Sequence, residues 1–269
     1  MRQILFAATL AAALLLVSCS STTTSVPEDP NVTLSDTSNL PFPEGSQEVT
    51  IHEPDYGPAV GYHAHPVGQE DVPGVLLIHE WWGLNKHIKA TAKKLASHGY
   101  SVLAVDLYNG STATSSGEAA RLSGSVDGDA VLRNLRAGKA YLREQGSATT
   151  ASFGFCFGGD QSMRFAYDEQ RPDASIIFYG QPEVNESRLS RIDQPVLGVF
   201  GTNDSVVSVE EARSLDESLD NTTKNEFQYY EDAEHAFANP SGDSFNEEAA
   251  SRAWNKTLEF LDESLESNR

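Results

Sequence analysis

The sequence predicts an α/β domain in which a mostly parallel central sheet carries helices on both faces. Short, continuous apolar runs such as GVLLI at 74–78 are typical of buried parallel strands. Segments with apolar residues at helical spacing follow these runs, and the two patterns alternate from about residue 47 onward. This βαβ alternation favours a parallel sheet covered by helices, and no internal repeat interrupts it.

Each element has its own local signal. An antiparallel pair is expected at 48–53 and 59–65, and further strands at 74–78, 101–105, 150–154, 175–179, 195–200 and 226–230. Helices are expected at 86–98, 127–143, 159–167 and 209–219. Asn85 and Gly99 supply the N-cap and the stop of the first helix. The last helix is predicted from apolar residues at i, i+4, i+7 and i+11, which are Trp254, Leu258, Leu261 and Leu265.

The charge of the chain excludes one class of partner. The 269 residues include 39 acidic and 19 basic side chains, a formal net charge of −20. A surface this acidic repels polyanions, so nucleic-acid binding is not expected. A well-solvated surface is the simplest interpretation. Adaptation to high salt is the alternative, and it requires that the domain lose structure when KCl is removed.

The first 18 residues have the pattern of an export signal. Arg2 precedes an apolar run that ends at Val17 and is too short to span a bilayer comfortably. The sequence LVSC at 16–19 resembles the lipobox of bacterial lipoproteins, in which the chain is cut before the cysteine and the new N-terminal residue, here Cys19, carries lipids. An ordinary secretory signal cut near Ser18 or Ser20 is the alternative. The lipobox implies a lipid anchor in the bacterial cell envelope, on the periplasmic or surface side.

A tether separates this signal from the folded domain. Residues 19–46 are rich in Ser, Thr and Pro and have little apolar periodicity, as in flexible linkers. The domain itself spans 47–269, and we expect it to be monomeric.

The cysteine count singles out Cys156. The chain has two cysteines, and lipidation would use Cys19. An exported protein would then keep one unpaired thiol in an oxidising compartment. Such a thiol is either buried and inert or retained for chemistry.

The most specific motif is GFCFGG at 154–159, between a predicted strand and a predicted helix. This is the context of a nucleophile elbow, a sharp turn that exposes the side chain at its apex, here Cys156. The flanking glycines permit a strained backbone and close packing of the helix. The helix N-terminus would favour the thiolate form, and the backbone N–H of Phe157 would point at a developing oxyanion. A small buried cysteine in a glycine-rich turn is the alternative.

Two further side chains follow later strands, in the order expected of an acid and a base. Asp204 comes after the strand that ends at Phe200, and His235 comes after the strand that ends at Tyr230. Both lie in predicted loops at the carboxyl ends of parallel strands, where such folds assemble their sites. Taken singly, Asp204 could be a turn residue and His235 a loop histidine. Their order and spacing together favour a site shared with Cys156.

These motifs resemble the dienelactone hydrolase (carboxymethylenebutenolidase) family, a branch of the α/β-hydrolase superfamily with a Cys-Asp-His triad. The resemblance extends from about 74 to 261 and includes IHEWWGLN at 78–85, DLY at 106–108, the elbow at 154–159, FYG at 178–180, GTND at 201–204 and HAF at 235–237. It implies the α/β-hydrolase fold and hydrolysis of lactones or esters. Cys156 would be the nucleophile, His235 the base and Asp204 the residue that orients the base.

The resemblance also implies roles for residues around the nucleophile. Glu80 matches a family glutamate that engages the resting thiol and helps to generate the thiolate when substrate binds; a solvent-facing loop acid is the alternative. The backbone amides of Trp81 and Phe157 would form the oxyanion hole. Three aromatic residues that could equally belong to the core are expected to line an apolar pocket: Trp82, Tyr108 and Phe237.

Two positions depart from the family pattern. Well-studied members hold the substrate carboxylate with two arginines, one placed two residues after the tyrosine of the DLY segment and one placed four residues after the histidine. Here these positions are Gly110 and Asn239. Loss of both cations should weaken binding of an anionic substrate, so we expect the substrate to be an uncharged lactone or ester.

The remaining signals are weaker. His63 and His65 would share one face of a strand, but His52 is the only candidate for a third ligand, so we interpret the segment as a solvated strand and expect no metal. No phosphate-binding or dinucleotide-binding motif is present, so no cofactor is expected. Two alternatives to an enzyme remain. One is a non-catalytic surface lipoprotein of the same fold that binds a ligand or partner. The other is a thiol redox protein, which would lack a resolving cysteine.

Overall fold

The structure, a computed structural model, describes residues 46–53, 57–183, 185–219 and 224–266. The strands are β1 (Gln47–Glu53), β2 (Gly57–Ala64), β3 (Gly74–Ile78), β4 (Ser101–Asp106), β5 (Thr150–Phe155), β6 (Ala174–Phe178), β7 (Val196–Gly201) and β8 (Asn225–Tyr230). The helices are α1 (Lys86–Ser97), α2 (Ser116–Gly124), α3 (Gly128–Glu144), α4 (Phe157–Ala166), α5 (Glu186–Leu189), α6 (Val209–Leu219) and α7 (Glu247–Glu266). The predicted signal, Cys19 and the tether up to residue 45 lie outside the described residues.

The strands form one mostly parallel sheet in the order β1-β2-β4-β3-β5-β6-β7-β8. Strand β2 pairs antiparallel with both β1 and β4, and every pair from β4 to β8 is parallel. The carboxyl ends of β3, β5, β6, β7 and β8 therefore lie along the same edge. Loops that follow different strands can meet at this edge, as expected for a parallel sheet.

Helices cover both faces of the sheet, which confirms the predicted fold class. Helices α1 and α7 pack on one face, where Leu77 of β3 lies in a cluster with Ile88 and Leu261. Helices α3, α4 and α6 pack on the other face, where Leu76 lies with Leu135. Neighbouring residues of a strand point to opposite faces, so a strand buried on both faces needs an apolar side chain at each position. The continuous apolar run of β3 meets this requirement.

The strands and helices that were predicted with bounds are all present, each with its ends within two residues of the predicted ones. The Asn85 side chain caps α1 by accepting from Ile88 N at 3.2 Å, as predicted. Helices α2 and α5 were not predicted, because α2 buries only Ala119 and Leu122 and α5 has four residues. Helix α4 begins at 157, two residues earlier than predicted. Strand β6 ends at 178, which leaves Tyr179 in the connection that follows it.

The interpretation of His63 as part of a solvated strand is wrong. Its side chain is buried, with Nε2 at 2.9 Å from Ser101 Oγ and Nδ1 at 3.0 Å from the Tyr141 hydroxyl. Burial lowers the pKa of His63 to about 4, and the charge of His65 adds to this effect. Both ring nitrogens have partners, so His63 is a neutral residue of the core. Over the described ranges, no cluster of three or more His, Cys, Asp or Glu side chains is placed to hold a metal ion.

None of the described helices is both long enough and apolar enough to cross a bilayer.

Candidate active site

Cys156 occupies a sharp turn between β5 and α4. Its backbone has φ 51° and ψ −118°, a conformation that residues with a Cβ rarely adopt. The turn is held from both sides, because Cys156 N donates to Phe178 O at 2.9 Å and Cys156 O accepts from Asp160 N at 3.1 Å. This strained strand-to-helix turn is the geometry of a nucleophile elbow.

Glycines allow the elbow to close. A Cβ at Gly154 would overlap the carbonyl oxygen of Gly158, and a Cβ at Gly158 would overlap the carbonyl oxygen of Ile78. The absence of side chains lets the start of α4 approach the ends of β3 and β5. Cys156 is the N-cap residue of α4, so it lies at the positive end of that helix.

Hydrogen bonds connect Cys156, His235 and Asp204 in a chain. His235 Nε2 lies 3.1 Å from Cys156 Sγ, and His235 Nδ1 lies 2.8 Å from Asp204 Oδ2. The other carboxylate oxygen, Asp204 Oδ1, accepts from the amides of Val206 and Val207 at 2.8 and 2.9 Å. The loops after β5, β7 and β8 thus bring together the three side chains that the sequence singled out.

The hydrogen-bonded neighbours of His235 favour its protonated, positively charged form. Burial opposes protonation of His235, but the hydrogen bonds to Asp204 and Cys156 and their negative charges outweigh it and raise the pKa of His235 to about 10. Burial likewise opposes ionisation of Asp204, and the hydrogen bonds from His235, Val207 and Val206 reverse the effect and lower its pKa. Asp204 can therefore hold the imidazole in one orientation and stabilise its positive charge.

Glu80 is buried beside this chain, with 2% of its surface exposed. Its Oε2 accepts from Asn239 Nδ2 at 2.6 Å, and no hydrogen bond joins it to Cys156. Burial raises the pKa of Glu80 to about 7, opposed by the Asn239 hydrogen bond and the charge of His235. The solvent-facing alternative is thus excluded. Glu80 therefore contacts Asn239, and not the resting thiol as had been predicted. Asn239 stands at one of the two positions where family members carry arginine.

The loop that carries Glu80 is held by His79, which is fully buried. His79 Nδ1 donates to the carbonyl oxygen of Glu80 at 2.6 Å, and its Nε2 accepts from Leu107 N at 3.2 Å. Burial lowers the pKa of His79, which keeps the ring neutral and in the tautomer that this pair of bonds requires. No role for His79 was predicted from the sequence.

The two amides expected to form an oxyanion hole belong to Phe157, next to Cys156, and to Trp81, next to Glu80. Phe157 is the first residue of α4, so its N–H has no acceptor within the helix. Trp81 follows Glu80 directly, and its N–H donates to no other group of the described residues. Both amides are therefore available to an external acceptor.

The aromatic residues predicted to line a pocket have different environments. Trp82 is half-buried and in edge contact with the ring of Trp81, at 5.2 Å between centroids. Tyr108 is 6% exposed and lies against His79 and Phe157. Phe237 is fully buried, packed between two tyrosine rings, and belongs to the core rather than to a pocket lining.

Tyr179, in the FYG segment at 178–180, is a further residue of the site for which the sequence predicted no role. The Tyr179 ring makes edge contact with the imidazole of His235 at 5.3 Å between centroids. It is 1% exposed and has φ 38°, a second strained residue at the same edge of the sheet as Cys156. A tyrosine followed by glycine at the end of a buried strand was the available signal.

This sheet order and this elbow define the α/β-hydrolase class of enzymes. The sequence profile of the Dienelactone hydrolase family matches residues 60–265. The chain belongs to that family and is a dienelactone hydrolase-like hydrolase.

Similar proteins cover most of the domain. Protein usf of Aquifex pyrophilus is 30% identical over 205 residues, which are 72% of this chain and 89% of the relative. A Saccharolobus solfataricus protein, provisionally named a carboxymethylenebutenolidase, is 26% identical over 226 residues, covering 70% and 88% of the two chains. Among solved structures, m3DLH has a TM-score of 0.73 and 25% identity over 82% of this chain and 98% of its own.

Proposed function

We propose that this domain hydrolyses uncharged lactones or carboxylic esters, with Cys156 as nucleophile, His235 as base and Asp204 as the residue that orients the base. The observation that carries the proposal is the hydrogen-bonded chain of the three side chains, with distances of 3.1 and 2.8 Å, at a strained elbow. Nucleophile, base and orienting acid in this order are the arrangement that acyl transfer requires.

The reaction would pass through a thioester. The Cys156 thiolate attacks the carbonyl carbon, and the amides of Trp81 and Phe157 donate to the oxyanion of the tetrahedral intermediate. The intermediate collapses to a thioester as the C–O bond breaks, and protonated His235 gives its proton to the leaving alkoxide. His235 then takes a proton from water as the hydroxide attacks the thioester. Collapse of the second intermediate releases the carboxylic acid and returns the imidazolium–thiolate pair.

The charge around the nucleophile supports an uncharged substrate. Gly110 is exposed and donates its N–H to Asp106 Oδ2 at 2.6 Å, and Asn239 is bonded to Glu80. Neither position offers a cation to a substrate carboxylate, and Glu80 is itself an acid. Whenever the Cys156 thiol is protonated, Glu80 would be an additional proton acceptor through the carboxyl oxygen that Asn239 does not hold.

Turnover of matched esters tests this proposal. The domain and its Cys156→Ala variant are assayed with neutral nitrophenyl esters, with a carboxylate-bearing nitrophenyl ester of the same chain length and with dienelactone, in low and high KCl. We expect Cys156-dependent hydrolysis of the neutral esters and much weaker hydrolysis of the two anions. Retained activity in Cys156→Ala would refute the nucleophile assignment. A folded wild-type protein without turnover at either salt concentration would favour a ligand-binding lipoprotein.

We also propose that the protein is exported and anchored in the bacterial cell envelope by lipids on Cys19. The support is the LVSC sequence after an apolar run. Growth with a labelled fatty acid should label the wild-type protein and leave Cys19→Ala unlabelled, with the wild type in the membrane fraction. Equal release of both forms from the membrane would contradict the proposal and favour an ordinary secretory signal.

A further inference from the structure

His79 is a buried histidine beside the site that the proposed mechanism does not use. It directly follows β3, and its side chain is fully buried. Both partners of its ring are backbone groups, because Nδ1–H donates to Glu80 O at 2.6 Å and Nε2 accepts from Leu107 N at 3.2 Å. A backbone N–H can only donate and a carbonyl oxygen can only accept, so the two bonds place the ring proton on Nδ1. The ring therefore links the loop after β3 to the residue that follows β4.

The bond to Glu80 O sets the direction of the Trp81 N–H. The carbonyl of Glu80 and the N–H of Trp81 belong to the same trans peptide group, which is planar. The two bonds of a trans peptide point in opposite directions, so fixing the carbonyl also fixes the N–H. Gly83 N donates to the same carbonyl oxygen at 3.1 Å, which thus accepts from two donors.

The same bond makes the Trp81 N–H a stronger donor. Hydrogen bonds in a chain polarise one another, and a donor on the carbonyl oxygen draws electron density from the nitrogen of the same amide. Because His79 is fully buried, bulk water does not compete for the bond. His79 thus acts on both the direction and the donor strength of this N–H.

The His79 ring also contacts the residue that carries the other proposed amide of the oxyanion hole. Phe157 stacks on the imidazole, with 6.0 Å between the ring centroids and 20° between the ring planes. Tyr108 makes edge contact with the same ring at 4.7 Å between centroids. The backbone packs closely here as well, because a Cβ at Gly158 would overlap the carbonyl oxygens of Ile78 and His79. His79 therefore contacts the peptide group of one proposed amide and the side chain beside the other.

We propose that His79 is a positioning residue for the oxyanion hole, whose Nδ1–H bond to the Glu80 carbonyl keeps the Trp81 N–H directed at the developing oxyanion. The ring stays neutral and keeps both hydrogen bonds throughout the reaction. The inference rests on the proposed function, in which Trp81 and Phe157 donate to the oxyanion. It assigns the effect on catalysis to one of the two hydrogen bonds of His79, which distinguishes it from a role in packing alone.

Two variants isolate this hydrogen bond. In His79→Asn, the side-chain amide nitrogen takes the place of Nδ1 and still donates to Glu80 O. In His79→Leu, a side chain of the same branched shape has no donor. Both variants lose the acceptor for Leu107 N, so this loss is matched.

Turnover of a neutral ester should distinguish the two variants. His79→Leu should lower kcat by roughly 10- to 100-fold with KM little changed, and His79→Asn should retain most of the wild-type kcat. The loss should stay below the roughly 10²- to 10³-fold typical of removing an oxyanion donor, because Gly83 still donates to the carbonyl and the Trp81 N–H remains.

Urea unfolding separates positioning from packing. Leucine suits a fully buried position better than asparagine, so His79→Leu should be at least as stable as His79→Asn. A role in packing alone predicts that the leucine variant is the more active of the two, which is the opposite of our expectation. His63→Leu is the control, because His63 is also buried but bonds to Ser101, at the start of β4 and the opposite edge of the sheet. It should lose stability and keep its kcat.

The oxyanion hole can also be measured without turnover. A trifluoromethyl ketone adds reversibly to the Cys156 thiolate: a C–S bond forms, the carbonyl electron pair moves to oxygen, and no group leaves. The pKa of the resulting hemithioketal, followed by ¹³C NMR with the label at the former carbonyl carbon, reports how strongly the oxyanion is bound. It should rise by about one pH unit in His79→Leu, equivalent to a tenfold weaker interaction, and stay unchanged in His79→Asn.

Two measurements need only the wild-type side chain at 79. The amide proton of Trp81, assigned by its loss in Trp81→Phe, should shift downfield as the ketone adduct forms. ¹⁵N NMR of the histidines should show His79 with its proton on Nδ1. A Trp81 amide proton that does not move, or a His79 with its proton on Nε2, would overturn the proposal whether or not the variants fold.

The combined results separate this proposal from the proposed function. If the wild type hydrolyses the ester and the two His79 variants have equal kcat and equal adduct pKa values, the role of His79 is refuted and the proposed function stands. If the wild type shows no turnover but the adduct pKa rises only in His79→Leu, the proposed function fails and the role of His79 stands. A wild type that neither turns over the ester nor forms the adduct would overturn both.

Discussion

Replacing Glu80 by Gln should stabilise the protein, and the gain should grow with pH. Glu80 is 2% exposed, and burial raises its pKa from 4.5 to about 7, against the opposing effects of Asn239 and His235. The folded state thus binds this proton more tightly than the unfolded chain does. The stability that the neutral carboxyl contributes is complete below pH 4.5 and is lost as the pH rises through 7. Gln has the same shape, can accept from Asn239 and stays neutral, so it removes this loss.

The magnitude follows from the change in pKa. At about 1.36 kcal/mol per pH unit, the rise from 4.5 to about 7 corresponds to about 3.4 kcal/mol in the free energy of unfolding. In the unfolded chain the Glu80 carboxyl, with a pKa of 4.5, is already mostly ionised at pH 5, so part of this loss has occurred by then. The wild type should therefore lose about 2.5 kcal/mol from this group between pH 5 and pH 8, and the Gln variant should not.

Urea unfolding at pH 5 and pH 8 measures this difference. Other groups, including His235, titrate in both proteins, so comparing the two pH dependences isolates the contribution of Glu80. Glu231→Gln is the matched control, because Glu231 is exposed, and its pH dependence should follow the wild type. Parallel pH dependences for wild type and Glu80→Gln would refute the account of a buried, proton-binding carboxyl.

Three further substitutions test the site and the fold. Asp204→Asn should lower the pKa of His235 and, under the proposed mechanism, reduce kcat by roughly 10³- to 10⁴-fold in a variant that still folds; a variant with wild-type turnover would contradict the orienting role. Gly154→Ala places a Cβ against backbone and should destabilise the protein by more than about 3 kcal/mol in urea, whereas Gly117→Ala has open space and should be neutral or stabilising. Tyr141→Phe leaves one ring nitrogen of the buried histidine of β2 without its partner and should cost about 1–2 kcal/mol by the same measurement; an unchanged midpoint would show that water replaces the hydroxyl.

The order of the strands explains why much of the site was predictable. Cys156, Asp204 and His235 each follow a strand whose parallel neighbours end at the same edge, so their meeting follows from topology and local motifs. The strained turn at Cys156 was likewise predictable, because glycine and a strand-to-helix switch are both local signals.

Contacts that depend on the path of a loop were not predictable. Glu80 meets Asn239 because the chain after His235 turns back, with Ala236 at φ 60° and Asn239 N donating to Ala236 O at 2.9 Å. No residue pattern specifies that path, since it is set by the packing of Phe237 in the core. The burial of Phe237 itself could not be separated from a pocket position, because an aromatic residue in a loop that follows a strand suits both.

The loss of cations at the matched positions changes the electrostatics of the whole site. Burial raises the pKa of Glu80 to about 7 and that of half-buried Asp160 to about 6, so both are titrating near neutral pH, and both act on His235. An incoming carboxylate would add a charge to a site that already holds these acids and the proposed nucleophile, with Gly110 and Asn239 offering it no compensation. A neutral ester adds no charge until its oxyanion forms, and the proposed oxyanion hole offers that charge two backbone amides. Because ionisation of Glu80 grows as the pH rises through 7, the proposed preference for neutral over anionic esters should increase in the same range.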